Sequence, residues 1–138
     1  MAINNNSAAK ADDIVKKWIA SSDKDYSAMM DLFRSKRYNW ALFLGHLVIE
    51  KLLKAYYFKI HNDYPPFIHN LLRISELSGL ILNEDKNKDL AEITTFNINA
   101  RYDDYKLSFY KRCTKKYTAN WIGKIKFYRQ WIKTSILS

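Results

Sequence analysis

The chain has 138 residues and a formal net charge of +9, is 48% apolar and 15% aromatic, and contains three Gly, two Pro and one Cys. This length fits one domain around one hydrophobic core, and the scarcity of turn-forming residues favours a few long helices over many short strands. A single Cys excludes an internal disulfide, so we expect a protein of the reducing cytoplasm. One Cys and three scattered His cannot form a zinc site, and we expect no metal or cofactor.

The N-terminal part of the chain is predicted to be a short tail followed by a long helix. It has no apolar stretch of the signal-peptide kind, and no segment of about twenty residues in the chain is free of charge, so we expect no membrane span. Residues 1–8 are polar and are assigned to a flexible tail, and residues 9–138 to a single helical domain. The first helix is predicted over residues 9–35, and its weak helix formers at residues 21–23 allow a kink or a break there.

The second predicted helix, residues 38–60, is the most apolar stretch of the chain. A helix that is apolar nearly all round must be covered on most sides, so this segment is predicted to be the central helix of a bundle. Its main polar exceptions, His46, Glu50 and Lys54, fall within a narrow arc at 3.6 residues per turn and are called here the polar seam. Two interpretations of the polar seam remain open: a solvated strip, or the polar lining of a cleft or a dimer interface.

A Pro-Pro pair at residues 65–66 ends the second helix, and His61 and His69 on either side of it are interpreted as structural. A short third helix is predicted over residues 67–78, with Gly79 as its C-cap.

The fourth predicted helix starts at Asn83 or the acidic residues after it and runs to Arg101. Residues 102–117 are predicted as loop, short helix or both, and a fifth helix covers residues 118–136. The predicted fold is therefore an all-α antiparallel bundle of about five helices, with two long helices at its centre.

The positive charge is concentrated at the C-terminal end of the chain. Residues 1–104 contain 14 basic and 14 acidic residues, whereas residues 105–138 contain nine basic residues and no acidic one. This asymmetry predicts a polyanionic partner, either a nucleic acid or an acidic protein, with solubility alone as the alternative. The interleaved aromatic residues are compatible with base stacking, although those of the fifth helix repeat at the spacing expected for the core. The nine basic residues are Lys106, Lys111, Arg112, Lys115, Lys116, Lys124, Lys126, Arg129 and Lys133.

The sequence RYDDY, which begins at Arg101, is a second candidate site. An Arg beside two carboxylates and two phenols suits a phosphate or a charged partner, with Arg101 and Asp104 as binding residues. The alternative is a local salt bridge from Arg101 to Asp103 or Asp104, which contributes little on a surface. No Gly-rich phosphate loop or HExxH motif is present, and Cys113 has no His nearby in the sequence.

Several short segments in a fixed order resemble the HEPN family of small helical domains. They are a Trp and a His in the second helix, IEKLLKA at residues 49–55, the Pro-Pro turn, IHNLLRI at residues 68–74 and ARYDDY at residues 100–105. The resemblance extends over about residues 26–133. It implies an antiparallel bundle that forms a homodimer through a central helix pair. It further implies one of two roles. The first is a metal-independent ribonuclease, and the second is a binding protein, either the partner of a minimal nucleotidyltransferase in a toxin–antitoxin pair or a nucleotide-binding protein.

The chain departs from the ribonuclease pattern of that family, in which an Arg is followed four to six residues later by a His. Arg101 stands where the Arg is expected, but the chain has no His after His69. We therefore predict a non-catalytic or weakly catalytic HEPN protein that binds RNA, a nucleotide or a nucleotidyltransferase. The alternatives are an active ribonuclease that uses Arg101 and a purely structural protein-interaction module. The predicted binding residues are Arg101, Asp104, Lys106, Lys111, Arg112, Lys115, Lys116, Lys126, Arg129 and Lys133.

Overall fold

The computed structural model describes the backbone of residues 5–138 and the side chains of residues 9–138. It contains six helices and, over that range, no strand, so the predicted all-α class is confirmed. The one element beyond the five predicted helices lies in the region that the sequence left open. The helices are α1 (Asn5–Arg34), α2 (Tyr38–His61), α3 (Leu71–Ser78), α4 (Glu84–Arg101), α5 (Asp103–Arg112) and α6 (Lys115–Leu137).

Helix α1 is longer at its start than predicted, and it is continuous. It begins at Asn5, so residues 5–8 of the predicted tail have helical backbone, while residues 1–4 lie outside the described residues. It runs through residues 21–23 without a break. The hydroxyl of Ser22, fully buried, donates a hydrogen bond of 2.8 Å to the backbone carbonyl of Val48 on α2. This tertiary contact offsets the weak helix propensity of the segment.

Helix α2 lies at the centre of the bundle and contacts α1, α3, α4 and α6. Most of its length is buried, from Ala41 to Phe58. Gly45 allows the close approach of α6, because a Cβ atom at this position would lie 2.4 Å from Cδ1 of Ile125. The apolar surface of α2 is therefore covered largely by helices of its own chain.

Local caps are present at several helix ends. Gly79 ends α3 with a φ of 80°, and the Asn83 side chain caps α4 by accepting a hydrogen bond from a backbone N–H. Asn70 caps α3 in the same way, so α3 begins at residue 71, four residues later than predicted. Thr114 caps α6, which begins three residues before the predicted start.

Helix α5 is held in place by one buried aromatic residue. Phe109 is fully buried, and its ring lies 5.7 Å from that of Phe96 on α4, which in turn lies 5.6 Å from the ring of Trp121 on α6. This cluster joins α4, α5 and α6 and places the C-terminal end of α5 beside the start of α6. None of the described helices is long and apolar enough to cross a membrane.

Candidate functional site

The polar seam of α2 is buried rather than solvated. His46 is fully buried, and Glu50 and Lys54 are 5% and 7% exposed. A solvated strip, one of the two predicted interpretations, is therefore wrong. The segment between α2 and α3 and the side chain of Trp18 on α1 cover the seam, and the Lys54 ammonium lies 6.0 Å from the Trp18 ring.

A residue from the segment before α3 completes the polar seam. The Nδ1 atom of His69 lies 2.7 Å from Oε1 of Glu50, and the backbone carbonyl of His69 lies 3.0 Å from Nε2 of His46. The other carboxylate oxygen of Glu50 lies 3.4 Å from the Lys54 ammonium. The side chain of His69 itself is 61% exposed. Glu50 therefore binds Lys54 and His69 in a buried network, and the imidazole of His69 reaches the solvent.

The spacing of residues in the sequence did not predict that His69 contacts the polar seam. The helical repeat relates His46, Glu50 and Lys54, but His69 lies beyond the Pro-Pro turn, and no periodic signal crosses such a turn. The two hydrogen bonds of His69 attach the segment before α3 to α2, a geometry consistent with a structural role.

His46 is the most deeply buried titratable group of the network. Burial lowers the pKa of its imidazole, while the hydrogen bond to the His69 carbonyl and the charge of Glu50 oppose this shift only in part. The imidazole is therefore neutral at physiological pH, and we assign the proton to Nε2, which faces the carbonyl. The Nδ1 atom is buried and has no hydrogen-bond partner among the described residues.

Arg101 lies at the end of α4, beside the same face of α2. Its guanidinium lies 5.8 Å from the ring of Phe43, one helical turn before His46, and its charge contributes to the lowered pKa of His46. The Nε atom donates a hydrogen bond of 3.1 Å to the backbone carbonyl of Asn97. The structure thus places Arg101 and the polar seam on one side of α2.

Arg101 pairs with no carboxylate in the described part of the chain, so the predicted local salt bridge is wrong. The carboxylate of Asp103 lies 3.7 Å from the Lys106 ammonium instead. Arg101 is exposed, and the ring of Tyr102 lies 5.7 Å from its guanidinium. The terminal nitrogens of this guanidinium are therefore available to an anion from outside.

The basic residues of the C-terminal quarter divide into two groups. Four of them make ion pairs, and two of these, Arg129 and Lys133, bind Asp23 on α1 at 3.0 and 2.7 Å. Burial raises the pKa of Asp23, but these two hydrogen-bonded cations outweigh that effect and hold the pKa below its usual value. The other five are exposed and make no ion pair within residues 9–138: Lys111, Arg112, Lys115, Lys116 and Lys126.

Four of the unpaired cations meet where α5 joins α6. Lys111 and Arg112 end α5, and Lys115 and Lys116 begin α6, so we call these four residues the basic corner. Cys113 lies between them but is buried, and burial raises the pKa of its thiol to about 12. No group of three His, Cys, Asp or Glu side chains in the described residues is placed to hold a metal ion.

Comparison with known proteins gives one match. The family model described as the HEPN domain matches residues 15–134, which is most of the chain. No curated protein and no solved structure gives a significant match.

Proposed function

The chain belongs to the HEPN domain family, and from this premise we propose that it is a non-catalytic or weakly catalytic member that binds RNA. The contacts would come from Arg101 and from the basic corner at the α5–α6 junction. The unpaired guanidinium of Arg101 carries the proposal, because its one hydrogen bond in the described chain is made by Nε, which leaves the other nitrogens for a phosphate.

The charges around Arg101 support an anionic partner. Asp103 pairs with Lys106 at 3.7 Å, and Asp104 makes no ion pair within residues 9–138. The four cations of the basic corner have no acidic partner in the described chain. Cations that are exposed and unpaired release their counterions when a polyanion binds, which makes the affinity dependent on salt. Arg129 and Lys133 already bind Asp23, so we assign them a structural role and leave them out of the proposed RNA-binding surface.

Fluorescence anisotropy with a labelled single-stranded RNA across a salt series tests this proposal. We expect binding at low salt, a linear fall of log affinity with log salt, and a slope that decreases by about one in Arg101→Gln. Arg73→Gln is the matched control, since Arg73 is an exposed arginine that pairs with Glu76. Absence of binding at the lowest salt, or equal effects of the two substitutions, would refute RNA binding through Arg101.

The family context suggests two partners in addition to RNA: a second copy of this chain and a minimal nucleotidyltransferase of a toxin–antitoxin pair. Light scattering after size-exclusion chromatography measures the first, with a mass of about 33 kDa expected for a homodimer of the 16.4 kDa chain. Co-expression with a candidate nucleotidyltransferase and co-purification through a tag on that protein measures the second. A monomer mass, or failure to co-purify, would remove the corresponding partner from the proposal.

A second candidate function is metal-independent ribonuclease activity, and one observation favours it. The imidazole of His69 is exposed, is oriented by the Glu50 carboxylate and lies on the same side of α2 as Arg101. A carboxylate that orients an exposed imidazole is an arrangement suited to general acid–base chemistry. Incubation of labelled RNA with the protein in EDTA, beside Arg101→Ala and His69→Ala, tests it. Cleavage that both substitutions abolish would replace the non-catalytic proposal by this one.

A further inference from the structure

A cleft between the α1–α2 turn and the end of α5 has the chemistry of a nucleotide-binding site. It consists of two adjoining pockets of about 300 and 390 Å³, which share Lys36, Asn39 and Tyr110. Lys111 lines the first pocket, and Arg37 and Trp40 line the second. We propose that this cleft binds one nucleotide of a single-stranded RNA, with its phosphate at the three cations and its base on the ring of Tyr110.

The charge of the cleft favours a phosphate. Lys36, Arg37 and Lys111 are all exposed, and none of them makes an ion pair with any carboxylate in residues 9–138. Among the described residues, no Asp or Glu lines either pocket. Three unpaired cations around one concave surface attract an anion more strongly than cations dispersed on a convex surface.

The backbone at Lys36 adds an independent observation. Lys36 has a φ of 63°, in the left-handed region, and its N–H and that of Arg37 bond to the carbonyls of Phe33 and Leu32 in a Schellman motif. Glycine is the favoured residue at this position of the motif, because a side chain there is strained. The chain instead holds a lysine whose side chain lines both pockets of the cleft.

The exposed rings give the cleft a preference for unpaired bases. Tyr110 is 64% exposed, Trp40 is 38% exposed, and both line the second pocket. Aromatic rings beside cations bind single-stranded nucleic acid by base stacking, whereas a duplex keeps its base faces covered. Asn39 precedes Trp40 in the sequence and lines both pockets, so its side-chain amide is available to the edge of a base.

The cleft is connected to the Arg101 site by a row of side chains along α2. The Trp40 ring lies 5.9 Å from the Lys106 ammonium and 5.9 Å from the Phe43 ring, and Phe43 in turn faces Arg101. Trp40 and Phe43 are three residues apart and share one face of the helix. An RNA strand held at Arg101 would therefore follow this row to the cleft, and to this extent the inference rests on the proposed function.

Binding of a fluorescein-labelled single-stranded oligoadenylate tests the cleft, measured by anisotropy for the wild type and for four variants. We expect Lys36→Gln and Lys111→Gln to weaken binding several-fold each, and Tyr110→Ala to weaken it about tenfold because a stacked base is lost. Tyr110→Phe is the matched control, since it keeps the ring and should bind like the wild type. The three substituted positions are at the surface, and unchanged thermal midpoints would establish that the four variants fold.

Competition experiments show whether the cleft recognises a whole nucleotide or only its phosphate. Together with the variants, they also distinguish failure of this inference from failure of the proposed function. AMP should displace the oligoadenylate at lower concentration than inorganic phosphate does, and a duplex RNA of equal length should compete more weakly than a single strand. Wild-type binding that Arg101→Gln weakens but the cleft variants leave unchanged would overturn the cleft and leave the proposed function standing. If AMP binds in a way that depends on Tyr110 but RNA does not bind, the cleft binds a free nucleotide. That result would refute RNA as the ligand of the cleft.

Discussion

The Nδ1 atom of His69 lies 2.7 Å from Oε1 of Glu50, and this hydrogen bond attaches the segment before α3 to the central helix. The same carboxylate faces the Lys54 ammonium at 3.4 Å and the His46 imidazole at 3.8 Å. Glu50 is 5% exposed, so its charge is compensated by the Lys54 ammonium and by the hydrogen bond to His69 rather than by water. The packing of the Pro-Pro segment against α2 thus depends on one buried carboxylate.

Removal of this carboxylate should be strongly destabilising. Glu50→Ala leaves the ammonium of Lys54 buried without its partner, and we expect a loss of about 3 kcal/mol in the free energy of unfolding. Glu76→Ala is the control, because Glu76 pairs with Arg73 on the surface, and its loss should be below about 1 kcal/mol. Urea unfolding measures both, and equal losses would show that the buried network contributes no more than a surface pair.

The stability of the protein should depend on pH through His46. Its pKa is lowered in the folded state, whereas the unfolded chain titrates near about 6.5. At a pH between the folded-state pKa and the unfolded-state pKa, His46 is protonated in the unfolded chain and neutral in the folded protein. The contribution of His46 to stability is therefore complete above the unfolded pKa and decreases as the pH falls from there to the folded pKa.

Urea unfolding at a series of pH values from about 5 to 7.5 measures this dependence. His46→Gln should make the free energy of unfolding less dependent on pH over that interval, because the buried titrating group is gone. His61→Gln is the control for the loss of an exposed imidazole, and equal changes in the two variants would contradict the assignment to the buried His46. The charged or titratable groups around His46 are Glu50, His69 and Arg101, and a dependence that is unchanged in His46→Gln would contradict its assignment to His46.

Local signals in the sequence were sufficient to predict much of the fold. The apolar run of residues 38–60 gave the central helix, and Gly79 and Asn83 marked two helix ends where the structure has caps. Such signals arise from residues within a few positions of each other. The helical repeat likewise grouped His46, Glu50 and Lys54, but it could not show whether water or protein would cover them.

The features that the sequence did not reveal depend on contacts between distant residues. Helix α5 is fixed by the packing of Phe109 on Phe96, and the polar seam is completed by His69 from beyond a turn. The pairing of Asp23 with Arg129 and Lys133 joins the two ends of the chain. Two of the predicted binding residues are therefore already paired with a carboxylate. A count of charges along the sequence cannot show this.

Two helical glycines should respond in opposite directions to the same substitution. In Gly45→Ala the new methyl group would meet Ile125 at 2.4 Å and Met29 at 3.2 Å, so we expect a loss of about 1–3 kcal/mol from overpacking. A methyl group in Gly123→Ala meets nothing within 4 Å, so a gain of about 0.5–1 kcal/mol is expected from helix propensity. Thermal or urea unfolding of the pair is the measurement, and a stabilised Gly45→Ala would contradict the close approach of α2 and α6.

Cys113 should be nearly unreactive in the folded protein despite its position within the basic corner. Its side chain is buried, and the raised pKa of about 12 leaves almost no thiolate at pH 8. Reaction with Ellman's reagent should be slow in buffer and rapid in denaturing urea. Fast reaction under native conditions would indicate that the end of α5 opens readily.

Lys36 should show opposing effects on stability and binding. Lys36→Gly relieves the left-handed backbone strain at φ 63°, and we expect a gain of about 0.5–1 kcal/mol in the free energy of unfolding. Lys36→Gln keeps the strain and removes only the charge, so its stability should match that of the wild type. Both variants lose the ammonium group and should bind oligoadenylate more weakly by a similar factor. Unfolding measurements on the two variants report the effect of backbone strain, and anisotropy measurements report the effect of the lost charge. A Lys36→Gly variant that is no more stable than Lys36→Gln would contradict strain at this turn.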